Sequence, residues 1–245
     1  MKYLIIGASS GLGKELAKKF AEENNDLVIV SRDERDLNAI KSDLETKHKI
    51  KIDVLPLDFS SINEIEDKLL SNNNLISNLT GALFPIGMMF DNDNLNVSVE
   101  NISKLTNANF ISIAYTIQKI KKILIQKENA CIIGFGSVSG FLGRDINVTY
   151  AGAKRGLESY FESMAFDEEF EKINIQFYTL GYLATNLSFG KDLKLPKGSV
   201  KKLSNIVFNN RIAKFKKTYY PAYWMIIHLI LKIIPFSILR ILKIK

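Results

Sequence analysis

The chain has 245 residues, 47% hydrophobic and 24% charged, enough for one large α/β domain or two small ones with an ample core. One cysteine, Cys131, excludes an intrachain disulfide and makes a reducing cytoplasm the default, while two histidines far apart in the chain, His48 and His228, argue against a Cys/His zinc cage and a Ser-His-Asp hydrolase. Of the net +7, residues 191–245 hold 13 Lys+Arg against one acid, Asp192, and residues 1–190 hold 20 Lys+Arg against 25 Asp+Glu, which points away from a nucleic-acid surface and toward a basic tail facing an anionic one.

The N-terminal apolar run is too short for a signal peptide and reads as a first strand, Lys2–Gly7. Further strands are predicted at Leu27–Ser31, Ile52–Leu57, Leu75–Leu79, Ala130–Phe135 and Asn174–Leu180. Helical patterns lie between them at 12–24, 34–47, 61–71, 100–127 and 149–171. Asp91-Asn92-Asp93-Asn94 reads as a solvated loop. After an irregular stretch at 184–200 come a helical pattern at 199–213 and an edge strand at Lys217–Tyr220. Such alternation predicts a doubly wound parallel sheet with helices on both faces, spanning 1–220 as a single domain, followed by a tail, 221–245.

Gly7-Ala8-Ser9-Ser10-Gly11-Leu12-Gly13 follows the first strand and opens a helix. Glycines there let the backbone approach a pyrophosphate, and the helix N-terminus favours its charge. The second strand ends in Ser31-Arg32, where an acid would select NAD; a guanidinium instead matches the 2′-phosphate of NADP. A plain surface arginine is the alternative, and Asp33 beside it keeps both readings open. Asp58, in Leu57-Asp58-Phe59-Ser60, is placed either to accept from the adenine amino group or to begin a helix.

Tyr150-Ala151-Gly152-Ala153-Lys154 puts a phenol and an ammonium on one helical face, where the charge can lower the phenol pKa. With nine tyrosines and 27 lysines about one such spacing arises by chance, and Tyr115/Lys119 is a second. Context separates them: Ser137 precedes Tyr150 at the end of an apolar strand, whereas Ile102 holds the same offset before Tyr115 and can do no chemistry.

Over about residues 1–190 these motifs resemble the short-chain dehydrogenase/reductase family. The resemblance implies a Rossmann-type fold and hydride exchange between NADP(H), favoured over NAD(H), and a ketone or secondary alcohol. It implies a catalytic tetrad of Asn109, Ser137, Tyr150 and Lys154. Tyr150 acts as proton donor, Ser137 steadies the carbonyl oxygen, Lys154 also holds the nicotinamide ribose, and Asn109 supports a proton-relay water. The implied cofactor contacts are Gly7, Ser9, Ser10, Gly11, Leu12, Gly13, Ser31, Arg32, Asp58, Phe59, Tyr150 and Lys154. Asn78 and Gly81 join them, from Asn78-Leu79-Thr80-Gly81 in place of the family's Asn-Asn-Ala-Gly, with Leu183 and Thr185 after the sixth strand. Ile6 and Leu180 replace the family's usual threonine and proline without removing a catalytic group. No metal is required, and a homodimer or homotetramer is expected.

Phe84, Met88, Phe141, Tyr182 and Phe189 are candidate substrate walls, or local core. In the tail, Tyr219, Tyr220, Tyr223 and Trp224 precede an apolar run that Lys232 and Pro235 cut too early for a span of about 20 residues. Two short amphipathic helices in a membrane interface fit it, for a protein on the cytoplasmic face acting on a lipid or lipid-linked sugar; a helix packed on the subunit or a neighbour, in a soluble carbonyl reductase, is the alternative. A nucleotide-binding scaffold without turnover is a third reading, against which the intact tetrad argues. Because every cofactor motif precedes it, the tail is expected to be dispensable for nucleotide binding and for activity on a water-soluble ketone.

Overall fold

The computed structural model describes residues 1–184 and 195–241. Seven strands form one parallel sheet in the order β3-β2-β1-β4-β5-β6-β7. They are β1 (Lys2–Ile6), β2 (Asp26–Ser31), β3 (Ile52–Pro56), β4 (Leu79–Phe84), β5 (Cys131–Ser137), β6 (Asn174–Leu180) and β7 (Lys216–Tyr220). The order reverses between β1 and β4, so the crevice beyond their C-terminal ends is where a doubly wound sheet binds ligands.

Both sheet faces are covered, and the strands read as near-continuous apolar runs for that reason. On one face Leu4, Ile6, Val28, Ala82, Phe84 and Phe177 pack against α4 (99–124, widened to a π turn at Asn107–Ile111) and α5 (Val148–Met164). α3 (62–70) closes that layer with Ile65 and Leu69. Their strand neighbours Tyr3, Ile5, Ile29, Leu83, Ile133 and Tyr178 point the other way, onto α1 (Gly11–Glu22), α2 (Glu34–Lys47) and α6 (Val200–Asn210). Phe20 of α1 meets both Tyr3 and Phe208 edge-on, at 4.7 and 5.0 Å, and so ties β1, α1 and α6 together.

After β7 the chain forms α7 (Tyr223–Ile233) and, past Pro235, α8 (Phe236–Ile241). Among the described residues no helix is long and apolar enough to cross a membrane.

One element departs from expectation. The fourth strand is Leu79–Phe84, not Leu75–Leu79, and Asn73–Ile76 is a helical turn. Gly81 reads in sequence as a strand breaker, yet the sheet needs it. A Cβ there would lie 2.6 Å from Cys131 Sγ and 2.9 Å from the Tyr3 ring.

Candidate active site

Between β1 and α1, Gly7 stands at φ 88° and Gly11 at φ 52°, in the left-handed region that side chains avoid. A Cβ on Gly13 would lie 2.0 Å from the Gly7 carbonyl oxygen, so α1 reaches the turn only because that side chain is missing. Ser10 caps α1 with no side-chain bond and the first turn holds no acid. The first amides of this helix therefore keep their partial positive charge at a cleft lined by Gly7, Ser9, Ser10, Gly11 and Leu12.

The cleft encloses about 1930 Å³. Ordinary small-molecule pockets hold ~300–1,000 Å³, so a dinucleotide and a substrate both fit. It passes Ser31, Arg32, Asp58 and Phe59, crosses Ser137, Tyr150 and Lys154, and ends against Tyr182, Leu183 and Trp224. Arg32 is exposed on its rim. Asp33 lines the cleft beside it, and its carboxylate accepts from Asp36 N at 3.0 Å, capping α2, and lies 4.0 Å from Arg35. Asp58 Oδ1 accepts from Ser60 N at 2.9 Å and Ser60 Oγ at 2.8 Å. Gly13 serves packing behind the turn rather than the cleft wall.

Ser137 ends β5, and its Oγ accepts from Ser139 N at 3.1 Å. Tyr150 and Lys154 stand one turn apart near the start of α5, both buried. Burial pushes the Tyr150 phenol up, and a hydrogen bond with Ser137 pulls it partly back. Lys154 Nζ donates to Ile86 O at 2.9 Å and Phe135 O at 3.0 Å, and burial lowers its pKa to about 7. Near neutral pH it thus carries only part of a charge. The phenol's pKa is set first by its burial, not by the lowering that the Tyr-Lys spacing suggests.

The other Tyr-Lys pair lies elsewhere. Tyr115 donates to Glu66, and Lys119 sits 3.5 Å from the same carboxylate and 5.1 Å from the centre of the Tyr115 ring. It is a link between α3 and α4.

The loop after β4 corrects two assignments. Asn78 precedes the strand, where its Oδ1 accepts from Lys127 Nζ at 3.5 Å, and Gly81 is inside the sheet. Neither lines the cleft; Pro85, Ile86, Gly87 and Met88 do. Ile86 Cα approaches to 3.1 Å of where a Gly7 Cβ would be, and Lys154 holds the Ile86 carbonyl. Asn109, wholly buried in the π turn of α4, clamps the same loop: Oδ1 accepts from Met88 N at 3.1 Å, and Nδ2 donates to Met88 O at 2.8 Å and Leu105 O at 2.9 Å. Pro85-Ile86-Gly87 is therefore the segment that lines the cleft where the sequence had placed Asn78 and Gly81. Its Gly87, downstream of Gly81, is the signal the sequence offers for it.

Asp93, in sequence part of a solvated loop, is 2% exposed. Its Oδ1 accepts from Thr149 N at 3.0 Å, its Oδ2 from Tyr150 N at 2.9 Å, and its carbonyl from Val148 N at 3.2 Å. Asn147, in the N-cap position at φ 54°, makes no side-chain cap bond. A carboxylate from a loop far upstream thus caps the helix that carries Tyr150.

At the far end, Trp224 lies over Gly181, its Nε1 1.8 Å from where a Cβ would be. Trp224, Ile227 and Leu231 of α7 line the cleft with Met88, Phe141 and Tyr182, whereas Phe84 is core. The tail is therefore a wall of the site and not an appendage to it. Thr185 and Phe189 lie outside the described residues.

A family model described as short chain dehydrogenase matches residues 2–194. The chain is 28% identical to a very-long-chain 3-oxoacyl-CoA reductase of Kluyveromyces lactis, over 75% of this chain and 55% of that protein. It is 24% identical to carbonyl reductase family member 4 of Xenopus tropicalis, over 76% and 77%. The chain spans about half the length of the 3-oxoacyl-CoA reductases it matches. A short-chain dehydrogenase from Sphingobium yanoikuyae, solved in complex with NADPH, superposes with a TM-score of 0.78 at 22% identity, covering 96% of each chain, which is a likeness of fold.

Proposed function

The chain belongs to the short-chain dehydrogenase family, and from that premise we propose that it reduces a ketone, or oxidises the matching secondary alcohol, with NADP(H) as hydride carrier. The observation that carries this reading is the meeting of Ser137, Tyr150 and Lys154 on the wall of a cleft that starts at a side-chain-free glycine turn. That turn fits a pyrophosphate, because the uncapped amides of α1 and the bare Gly7 leave room and positive potential for it. Arg32 fits a 2′-phosphate by charge and fork geometry, while one oxygen of Asp33 beside it is committed to the cap of α2.

When bound, the nicotinamide supplies hydride to the carbonyl carbon. The protein's part is positional and protonic. Ser137 Oγ donates a hydrogen bond to the carbonyl oxygen, and the Tyr150 phenol gives that oxygen its proton. Lys154, brought to about 7, exchanges protons near neutral pH and is suited to reload the phenol. Asn109 acts through the loop it clamps.

A 3-oxoacyl group, the substrate named for several relatives, suits the apolar far end of the cleft. The same reading puts the enzyme on the cytoplasmic face of a membrane, held by the basic tail and the apolar side chains exposed on α7 and α8.

NADPH oxidation against a panel of water-soluble ketones tests the proposal. Tyr150→Phe is expected to lose ~10²–10⁴-fold in turnover while still binding NADPH, and Tyr115→Phe to stay near wild type. Arg32→Ala is expected to lose ~1.5–3 kcal/mol of NADPH affinity, roughly tenfold to over a hundredfold, and little for NADH. Equal losses in the two tyrosine variants, or a wild type that prefers NADH, defeat the respective assignment.

A further inference from the structure

α7 has two different faces. Trp224, Ile227, His228 and Leu231, spaced three and four apart, point inward. Three of them line the cleft, and His228 locks the helix to the loop after Ser137. Its ring stacks on Phe141 with centroids 4.0 Å apart and planes 3° apart, and its Nδ1 lies 2.8 Å from Tyr219 Oη. The opposite arc is apolar and open to solvent: Met225, Ile226, Leu229, Ile230 and Ile233 are 49–81% exposed. Phe236, Ile238 and Ile241 continue it on α8. From 195 to 241 the sequence holds nine Lys+Arg and no acid; Lys217 is paired with Glu158 and Glu162 of α5, and Lys232 and Arg240 lie on α7 and α8 themselves.

We propose that α7 seats this outer arc in an anionic bilayer and that the cleft it walls takes a ketone carried on a long hydrocarbon chain, drawn from that bilayer. The inference rests on the ketone-reductase reading and names the substrate class for the same site. One helix, about 10 Å across, separates the lipid-facing arc from the cleft. The chain of a membrane-dissolved substrate then has an apolar surface to follow at every depth: outer α7, inner α7, Tyr150. An anionic bilayer fits better than a second copy, because pairing two acid-free basic segments brings like charges together, whereas lipid phosphates neutralise them. The exposed side chains form a continuous arc rather than scattered single residues, as an interfacial helix requires.

The test uses the full chain with NADPH and two ketones of one head chemistry, ethyl acetoacetate and its palmitoyl-chain homologue. Each is assayed with phosphatidylcholine vesicles and with vesicles containing phosphatidylglycerol. Anionic vesicles are expected to raise kcat/KM for the long-chain ester about tenfold or more and to leave ethyl acetoacetate unchanged. Ile226→Glu with Ile230→Glu, on the outer arc, is expected to abolish that rise while ethyl acetoacetate is still reduced. Leu231→Trp, which fills the cleft wall, is expected to lower the long-chain rate more than the short. If neither ketone is reduced, the reductase reading falls and takes this inference with it. If ethyl acetoacetate is reduced but vesicles do nothing for the long chain, only this inference falls. It also falls if the double variant changes the oligomeric state and not the vesicle response, because the arc is then a contact between copies.

Discussion

Lys154 shows how one buried side chain ties pH to both chemistry and stability. Its pKa falls from 10.5 to about 7 because burial disfavours the ammonium, even with two carbonyls accepting from it. The folded pKa lies below the unfolded one, so the cost of burying charge is full below about pH 7 and vanishes above about 10.5. The apo wild type is therefore expected to gain about 2 kcal/mol relative to Lys154→Met between about pH 7 and 9, read from urea unfolding at each pH. Parallel pH curves for the two proteins contradict a depressed lysine. The residues of this pair were legible in the sequence, since Ser137 at the end of a strand distinguishes Tyr150 from Tyr115. The electrostatics were not. Spacing reports which groups share a face, but only packing shows that burial raises the phenol against the pull of the Ser137 hydrogen bond, and that Tyr115 is spent on Glu66.

At the scale of elements, the parallel sheet covered on both faces follows from alternating apolar runs and helices, and six of the seven strands lie where the runs predict them. The fourth slipped because Leu75-Ile76 resembles a strand start and Gly81 a strand end. A close contact with Cys131 and Tyr3, invisible in a linear pattern, is what makes Gly81 a strand residue. The slip carried Asn78 and Gly81 into the cofactor set and left out 85–87. A second long-range effect hid Asp93. Asn147 is a good N-cap residue by type, so nothing local suggests that α5 takes its cap from another loop. Asp93 is accordingly a positioning residue for Tyr150, whose backbone amide it holds at 2.9 Å. Asp93→Ala is expected to cost ~0.5–2 kcal/mol of stability, and kcat is expected to fall roughly tenfold to a hundredfold with NADPH affinity unchanged, since the phenol shifts and the glycine turn does not. Asp93→Asn keeps one acceptor oxygen for Thr149 N and is expected to fall between. A loss of kcat no greater than the loss of folded protein leaves Asp93 with a stabilising role alone. Calorimetry beside steady-state kinetics separates the two outcomes.

Across the whole molecule, charge and hydropathy divide the chain where the active site closes. The stretch 1–190 carries a net acid excess, and the segment that follows carries the net basic excess, 13 Lys+Arg against one acid. Composition alone marked that segment as directed at an anionic surface, but treated it as an appendage. Trp224 over Gly181, and Ile227 and Leu231 in the cleft wall, show the opposite. Truncation after Tyr220 is thus expected to spare NADPH binding, whose motifs lie earlier, and to reduce turnover even of a water-soluble ketone, because one wall of the site is gone. Membrane attachment by the intact chain has two separable contributions. Each basic side chain near an anionic surface adds ~1 kcal/mol, an attraction that fades over a Debye length of ~10 Å at 0.1 M salt. Burying the apolar arc of α7 adds ~25 cal/mol per Å² with no comparable salt dependence. In liposome co-sedimentation the full chain is therefore expected to pellet with vesicles containing phosphatidylglycerol, to be released in part by high salt, and to be freed completely only by detergent. The truncated chain is expected to stay in the supernatant. Release by salt alone assigns the attraction to charge and removes α7 from the lipid. A full chain that never pellets leaves the exposed arc to a protein partner and makes the soluble carbonyl reductase the better reading.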